Sequence, residues 1–355
     1  MKMKAKILAG LLGRVLVTLP IAGCFSSCEL VREDLAECPS PVVELRFIYD
    51  YNMEYANAFH NQVDCLSVYF FDSDGKLVKI EKVTDPALLS DEDFRMHPEL
   101  PAGSYHAVAY GGMDCEQASF SSTTMSENAR LTDLHVQLNP ACLTDSTRYR
   151  LHNHYYGSVD FTTDPEQDTY ATLPMMRNTN TVHVALQHIS GSPIDCKDFI
   201  FEITDDNNDF DHENNLLATG EITYKPFHTD NRSTGTQEGI DTTGLQQTHV
   251  ALAQFTTSRL MTRSAATGKQ TPTLLHVRRA SDGATVFRIP LINYMLLFKS
   301  DNSAAGLSGM GDQEYLDREN QWNFVFFLDD SRGDLWVSSR IIINDWEVRL
   351  NNTDF

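Results

Sequence analysis

The chain lacks the short motifs that mark the common enzyme and metal-site classes. It has no C-x-x-C pair, which excludes zinc ribbons and thioredoxin-like redox sites. It has no G-x-S-x-G elbow, no H-E-x-x-H pattern and no glycine pattern of a P-loop or dinucleotide fold. A glycosidase needs two carboxylates across a cleft, and no local spacing indicates such a pair. The sequence therefore predicts neither catalytic residues nor a cofactor.

Basic residues are also scarce. The chain has 28 Lys and Arg against 49 Asp and Glu, a net charge of −21. Four of the basic residues fall within positions 1–27, so the rest of the chain is more acidic still. Binding to nucleic acid needs a basic face, so nucleic acid is excluded as a partner. The same charge disfavours direct adhesion to an anionic membrane surface.

The N-terminus has an apolar run that is too short to span a membrane. The run from Val15 to Ala22 follows Arg14 and contains Pro20, whereas a spanning helix needs about 20 apolar residues. A positive start followed by a short apolar run is typical of an export signal. Residues 1–27 are therefore predicted to be a signal peptide.

Two cysteines lie at the end of this signal. Ile21–Cys24 fits a lipobox, after which a signal peptidase cuts and a lipid is joined to the cysteine. Phe25–Cys28 fits less well, although small residues again precede the cysteine. The alternative is an ordinary cleaved signal with incidental cysteines. The lipid interpretation predicts a bacterial surface lipoprotein, with residues 28–40 as a tether.

The remaining cysteines do not define a disulfide framework. Seven cysteines are present: Cys24, Cys28, Cys38, Cys65, Cys115, Cys142 and Cys196. A disulfide is permitted outside the cytoplasm, but the spacing does not choose partners. Cys65 lies in an apolar strand and is interpreted as a buried thiol.

Two patterns were weighed as metal sites. His152 and His154 would share one side of a strand, but no third ligand is evident, and a polar pair is favoured. Asp205–Asp211 resembles the start of a calcium-binding loop. Such a loop has Gly at its sixth position and Glu at its twelfth. Phe210 and Leu216 stand there instead, so an ordinary acidic turn is favoured and a loose calcium site stays open. The sequence predicts no metal.

From residue 41 onward the patterns are those of β-strands. Residues 63–71 and 76–83 flank an Asp-Gly step and are predicted to form a hairpin. Residues 181–188 alternate apolar and polar, and residues 340–350 are predicted to be one strand. Residues 292–299 are compatible with a short helical turn, and residues 291–298 equally with a strand. Residues 227–248 are compatible with a surface loop.

The two halves of the chain show a similar order of predicted strands and turns. Each opens with a strand and, roughly 20 residues later, shows a second strand that ends in an Asp-rich turn; Asp72 and Asp205 mark these turns. Closely spaced strands with turn signals favour β-sandwiches over parallel sheets. The prediction is an all-β chain of two tandem β-sandwich domains, residues 41–172 and 173–355.

Several segments, taken together in their order, resemble the fimbrial anchor lipoproteins of the fimbrillin-like class in Bacteroidales. The segments are Cys28–Leu35, Cys38-Pro39, Tyr49–Met53, Ala58-Phe59, Val63-Asp64, Phe71-Asp72 with Asp74-Gly75, Arg177-Asn178, Arg259-Leu260 and Ile343–Trp346. The resemblance implies two transthyretin-like β-sandwich domains, tethered by lipid to the outer membrane at the cell surface. It also implies fimbrial pilin subunits as partners, bound by β-strand pairing, and no catalytic residue.

The resemblance bears on the lipid site and on rival functions. General lipobox rules point to Cys24, whereas the family spacing to Glu33 points to Cys28. The sequence ends five residues after Leu350, without a long donor tail, which favours a terminal or minor fimbrial subunit over a polymerising pilin. The alternatives are a glycan- or protein-binding surface lipoprotein without a fibre, and a hydrolase. Which pilin is bound, and whether at base or tip, stays open.

Aromatic residues carry part of this resemblance. They are Tyr49, Tyr51, Phe59 and Trp346. Aromatic side chains in strands are packing elements by default, so these four are interpreted as core or domain-packing residues rather than ligand contacts.

Overall fold

The computed structural model describes residues 41–217, 219–233, 248–264, 267–301, 307–343 and 346–349. The predicted signal and tether, with Cys24, Cys28 and Cys38, lie outside these ranges. The strands are β1 Val43–Ile48, β2 Leu66–Asp72, β3 Leu77–Val83, β4 Gly103–Gly111, β5 Phe120–Ser122, β6 Val136–Leu138, β7 Tyr155–Thr163, β8 Thr169–Arg177, β9 Thr179–His188, β10 Phe199–Asp205, β11 Asp209–Phe210, β12 Ile222–Tyr224, β13 His228–Ser233, β14 His249–Ser258, β15 Leu274–Arg279, β16 Thr285–Pro290, β17 Gln321–Asp329, β18 Leu335–Ile343 and β19 Trp346–Arg349.

Helices are few and short. They are α1 Phe59–Gln62, α2 Pro86–Leu89, α3 Ala141–Thr144, α4 Leu291–Asp301 and α5 Asp312–Arg318, with 3-10 turns at Leu131–Asp133, Ser146–Arg148, Cys196–Asp198, Leu307–Gly309 and Asp330–Arg332. The predicted all-β class is confirmed. No helix in the described ranges is long and apolar enough to cross a membrane.

The first sheet has six strands in the order β1-β8-β7-β4-β2-β3. The hairpin of β2 and β3 is confirmed, with Leu66 paired to Val83. Asp72 closes its turn because its carboxylate accepts hydrogen bonds from the backbone N–H groups of Asp74 and Lys76, both at 2.9 Å. Gly75 has a φ of +72°, a left-handed conformation that favours glycine.

The two faces of the first sheet contribute to two different apolar cores. Val68 and Phe70 of β2 point into a smaller core with β1 and α1. Tyr69 and Phe71, one residue out of step, point into the larger core. This period-two alternation makes β2 buried on both faces, which explains its nearly continuous apolar sequence.

Two further sheets face each other across the larger core. The six-stranded sheet has the order β13-β14-β9-β17-β18-β19, and the four-stranded sheet has the order β12-β10-β15-β16. Alternate residues of β9, including Val182 and Val184, meet Phe201 and Ile203 of β10 in this core. The arrangement is a β-sandwich, closed by burial of one face of each sheet.

A small sheet joins the first half of the chain to the second. Its order is β11-β6-β5, and Phe210 of β11 pairs with Val136 of β6. The chain leaves the first sheet at the end of β8 and enters the second large sheet at β9, so the change falls at Asn178. Residues 172 and 173 lie within β8; the division into two domains there stays a prediction.

Three sequence interpretations of local structure differ from the fold. Residues 291–301 form helix α4, which is longer than the short helical turn expected over 292–299 and excludes the alternative strand over 291–298. Residues 340–350 do not form one strand, because Ile343 at the end of β18 pairs antiparallel with Trp346 at the start of β19. Residues 228–233, placed in a surface loop, form edge strand β13.

The interpretation of Cys65 as a buried thiol is wrong, because Cys65 and Cys115 form a disulfide. Their Cα atoms are 6.1 Å apart, within the range that a disulfide bridges. The pairing of Leu66 with Gly111 brings together the start of β2 and the end of β4, and Cys115 follows in the next turn. The partners are 50 residues apart, a loop whose closure stabilises by about 4 kcal/mol in the chain-entropy treatment.

Candidate assembly site

Strand β1 lies at one edge of the first sheet, a few residues after the predicted tether. It pairs with β8 in parallel, whereas the other strand pairs of this sheet are antiparallel. The carbonyl of Val42 accepts a hydrogen bond from the N–H of Thr169 at 2.9 Å. Because backbone groups alternate sides along a strand, even-numbered residues of β1 face β8 and odd-numbered residues face outward.

The outer edge of β1 is only partly covered. Leu45 exchanges two backbone hydrogen bonds with Met96, at 2.8 and 3.0 Å. Val43 and Phe47, two residues to either side, direct their N–H and C=O groups to this same edge. Phe47 is only 1% exposed, so its main-chain groups are covered, whereas Val43 is partly exposed. A sheet edge accepts a strand from another chain through open main-chain groups, so pairing along β1 requires the segment around Met96 to move away.

Side-chain packing holds β1 firmly in the smaller core. Leu45 and Phe47 are 0% and 1% exposed. The Phe47 ring stacks on Phe59 at 5.6 Å between centroids and on Phe94 at 6.1 Å. Strand β1 therefore offers an incoming strand a rigid, apolar backing.

The opposite edge of the sheet is built differently. Strand β3 carries Lys79 and Glu81, paired at 2.7 Å, and Lys82, paired with Asp114 at 2.9 Å. Charged side chains along an edge strand discourage pairing with another chain. Strand β1 carries two charged residues, Glu44 and Arg46, against three on β3, and is the candidate edge for assembly.

The aromatic residues of the resemblance have packing positions where the structure describes them. Tyr49 is fully buried, and its ring meets Tyr155 at 5.2 Å in an edge-on contact. Burial raises the pKa of the Tyr49 hydroxyl above its ordinary value. The Tyr51 ring lies 4.1 Å from the Arg318 guanidinium, a cation–π contact. The side chain of Trp346 lies outside the described set.

The two arginines of the resemblance make structural contacts. Arg177 donates to the Asn153 side-chain carbonyl at 2.7 Å. Arg259 donates both Nε and Nη2 to the carboxylate of Asp317, at 2.8 and 2.7 Å, and its Nη1 to the Asn214 carbonyl at 2.9 Å. The Arg259 and Asp317 side chains are only 13% and 5% exposed, so this bidentate pair joins the residue after β14 to α5 inside the protein.

The structure does not bring His152 and His154 together as metal ligands. His154 is completely buried and stacks on Phe120 at 4.5 Å and on Tyr110 at 5.8 Å. Burial lowers the pKa of His154 to about 3, so the ring is neutral at physiological pH. The ring of His152 faces elsewhere, with Nε2 3.0 Å from a carboxylate oxygen of Asp64.

His152 and Asp64 lie beside the disulfide. Their donor atoms and the sulfurs of Cys65 and Cys115 all lie within 4.8 Å of one another. A metal-binding cysteine is a thiolate, and both sulfurs here are in a disulfide. The group is therefore a disulfide cross-link beside a hydrogen-bonded histidine and aspartate.

The first two aspartates of the acidic segment that begins at Asp205 bind a lysine rather than forming a metal ligand set. Lys269 donates to the carboxylates of both Asp205 and Asp206. Asp211, further along, closes a turn by accepting from the backbone N–H groups of Glu213 and Asn215. The carboxylates are therefore divided between a buried ion cluster and an ordinary turn rather than gathered around one cation. The signal that sequence reasoning missed was Lys269, 64 residues away.

Comparison with protein families gives a match over nearly the whole chain. The model of the fimbrillin-A associated anchor proteins Mfa1 and Mfa2 matches residues 35–352. A comparison with curated proteins gave no match.

Solved structures of similar fold were also found. A candidate adhesin from Bacteroides thetaiotaomicron is 44% identical, with a TM-score of 0.79 over 90% of this chain and 100% of that one. A candidate polysaccharide-binding protein from the same species is 27% identical, with a TM-score of 0.71 over 88% and 99%. The fimbrial anchor protein Mfa2 from Porphyromonas gingivalis shares the fold, at 15% identity and a TM-score of 0.60 over 87% and 99%.

Proposed function

Because this chain belongs to the family of fimbrillin-A associated anchor proteins, we propose that it tethers a fimbrium to the outer membrane at the cell surface. The observation that carries the proposal is the family match across residues 35–352. An anchor needs one attachment to the membrane and another to the fibre. A lipid on the N-terminal cysteine supplies the first, and main-chain pairing at β1 supplies the second.

The membrane attachment is assigned to Cys28, with Cys24 as the alternative. An acylated N-terminus binds a bilayer with about 0.8 kcal/mol for each buried methylene, and several chains together give a stable anchor. Residues 28–40 then connect the lipid to the first sheet. Thirteen extended residues span at most about 45 Å, enough to hold the folded part clear of the lipid headgroups.

The fibre attachment is assigned to the outer edge of β1. An incoming pilin strand would displace the Met96 bridge and pair with Val43, Leu45 and Phe47. Main-chain hydrogen bonds give such pairing its affinity, and the apolar core beneath gives alternate side chains a surface to pack on. Extensive strand pairing dissociates slowly, as the base of a fibre requires.

Substitution of Val43 by proline tests this edge. Proline is tolerated on edge strands, and residue 43 directs its missing N–H outward, so the bonds to β8 remain. We expect Val43→Pro to raise the Kd for the fimbrial subunit at least about 10-fold, since one hydrogen bond is lost and the ring obstructs its neighbours. The measurement is binding of the purified subunit from the same cells to the lipid-free protein.

The matched control is Val43→Thr, which keeps both the β-branch and the backbone N–H. It should bind the subunit as the unchanged protein does, and both variants should melt as folded proteins. Equal affinity of the proline and threonine variants would remove β1 as the pairing edge.

A surface lipoprotein that binds glycan without a fibre is the second candidate. It is favoured by the 27% identity to a candidate polysaccharide-binding protein. A glycan array probed with the mature chain separates the two functions. Saturable glycan binding without recovery of fimbrial subunits would favour this second candidate.

A further inference from the structure

Lys269 is an unusual residue because it is a buried lysine. It is 2% exposed, and its ammonium donates hydrogen bonds to Asp205 and to Asp206, the latter at 2.6 Å. Lysine is almost never fully buried unless it is paired. Three ionisable groups therefore meet inside the protein, at the end of β10 and just before β15.

The carboxyl group of Asp205 is buried and held in place by hydrogen bonds. It is 1% exposed, and desolvation raises the pKa of its carboxyl above the ordinary value, against the opposing effect of Lys269. One carboxyl oxygen accepts the backbone N–H of Asp206 and the other accepts the Thr273 hydroxyl, both at 2.7 Å. These donors fix the carboxyl group and draw electron density away from its carbon.

Asp206 has the opposite electrostatic character. Desolvation raises the pKa of its carboxyl, but the hydrogen bonds from Lys269 and Thr271 outweigh it and leave the pKa below the ordinary value. Asp206 is therefore a carboxylate placed against the lysine ammonium. Neighbouring carboxyls with pKa values driven apart are the arrangement that divides acid and base roles.

We propose that Lys269 and Asp205 join through an intramolecular amide bond, with Asp206 moving the protons. The ammonium of Lys269 gives a proton to Asp206, and the freed amine attacks Cγ of Asp205. Asp205 reacts as the neutral carboxylic acid. The Nζ–Cγ bond forms, the bond from Cγ to the hydroxyl oxygen breaks, and that hydroxyl leaves as water with a second proton from Nζ. The proton that the ammonium loses ends on Asp206, so no oxidant or other reactant is needed.

The surroundings suit both the reaction and its product. Holding amine and carboxyl in contact makes the step effectively unimolecular, which raises its rate by orders of magnitude. Lys269, Thr271 and Thr273 line a cleft of about 420 Å³, through which the water can leave. The amide has no formal charge, so it removes the desolvation cost of a buried ion pair.

The bond would fasten two neighbouring strands of the four-stranded sheet. Thr204 of β10 pairs with Leu274 of β15, and the amide would lie just beyond this pair. It would close a loop of 64 residues between Asp205 and Lys269, as a disulfide does, but without sensitivity to reducing agents. This property does not depend on the proposed fimbrial role.

Peptide mapping of the protein purified from cells tests the proposal directly. After reduction and trypsin, the amide predicts no cleavage after Lys269. It predicts a branched peptide in which residues 198–232 are joined to residues 264–278, because trypsin does not cut between Lys225 and Pro226. This species is lighter by one water than the two linear peptides together. Fragmentation should place the branch at Asp205.

Variants separate the roles of the three groups. Lys269→Arg, which lacks a reactive amine, and Asp206→Asn, which lacks the proton acceptor, should both give only linear peptides. Lys197→Arg, at an exposed lysine, should keep the branched peptide. Recovery from the unchanged protein of a linear peptide ending at Lys269, with no branched species, would overturn the proposal and leave a buried salt bridge.

Discussion

Replacing Cys24 and Cys28 together with alanine is expected to move both the protein and the fibres that it holds from the cells to the medium. The chain has 28 Lys and Arg against 49 Asp and Glu, and this acidic balance disfavours binding to anionic lipid. Membrane attachment then depends on the acyl chains, and their loss removes essentially all of it. The measurement is quantitative detection of the protein and of fimbrial subunits in cell and medium fractions.

The single variants identify the acylated residue. Cys28→Ala alone should release protein and fibre if Cys28 carries the lipid, and Cys24→Ala alone should then leave both on the cell. Cys38→Ala is the matched control, because it removes a nearby cysteine of the predicted tether. Fibres that stay attached to cells of the double variant would contradict the anchoring mechanism.

Removal of the Asp317 carboxylate is expected to cause the second large effect. The Arg259 side chain is only 13% exposed, and Asp317→Ala removes the bidentate partner of its guanidinium. An uncompensated buried charge lowers the free energy of unfolding by about 3–5 kcal/mol. Gln313, which also donates to Asp317, loses an acceptor in the same variant. Urea unfolding of the lipid-free chain measures the change.

Two controls distinguish the cost of leaving Arg259 unpaired from the cost of removing any aspartate side chain. The double variant Arg259→Met with Asp317→Leu removes both charges and should recover most of the lost stability, since apolar replacements of a buried pair are often neutral or stabilising. Asp230→Ala removes a partner of Arg232 from an exposed pair and should cost less than about 1 kcal/mol. A loss from Asp317→Ala no larger than that from Asp230→Ala would contradict the structural role of the buried pair.

Local sequence patterns predicted those strands whose conformation follows from their own residues and from the adjacent turns. The hairpin of β2 and β3 follows from apolar runs around Asp-Gly, and β9 follows from strict alternation. In β9, Val182, Val184 and Leu186 are all fully buried, as the period of two requires. The all-β class was therefore accessible from the sequence.

Local patterns failed where distant residues decide the outcome. The run 291–298 is apolar enough for a strand, yet it forms α4 and packs residues such as Met295 into the larger core. Nothing near Cys65 indicates Cys115, because the pairing of β2 with β4 brings them together. Strand β14, ten residues long, was missed although it lies between β13 and β9.

The candidate sites also differ in whether local sequence or contacts between distant residues define them. A lipidation signal is a local pattern of residues along the chain, so Cys24 and Cys28 were predicted from the sequence alone, and the assignment stays a prediction. The acidic turn at Asp205 was visible as well, but its cation, Lys269, reaches it from a loop 64 residues away. The position of β1 at an edge of the first sheet became evident only from the sheet order.

Immunogold labelling of intact, fimbriated cells tests the anchoring role most directly. An antibody against the mature chain should place gold at the end of each fibre that meets the cell surface, and Cys28→Ala/Cys24→Ala cells should carry the same label at one end of the released fibres. Label along the shaft or at the free tip of cell-attached fibres would contradict the anchor.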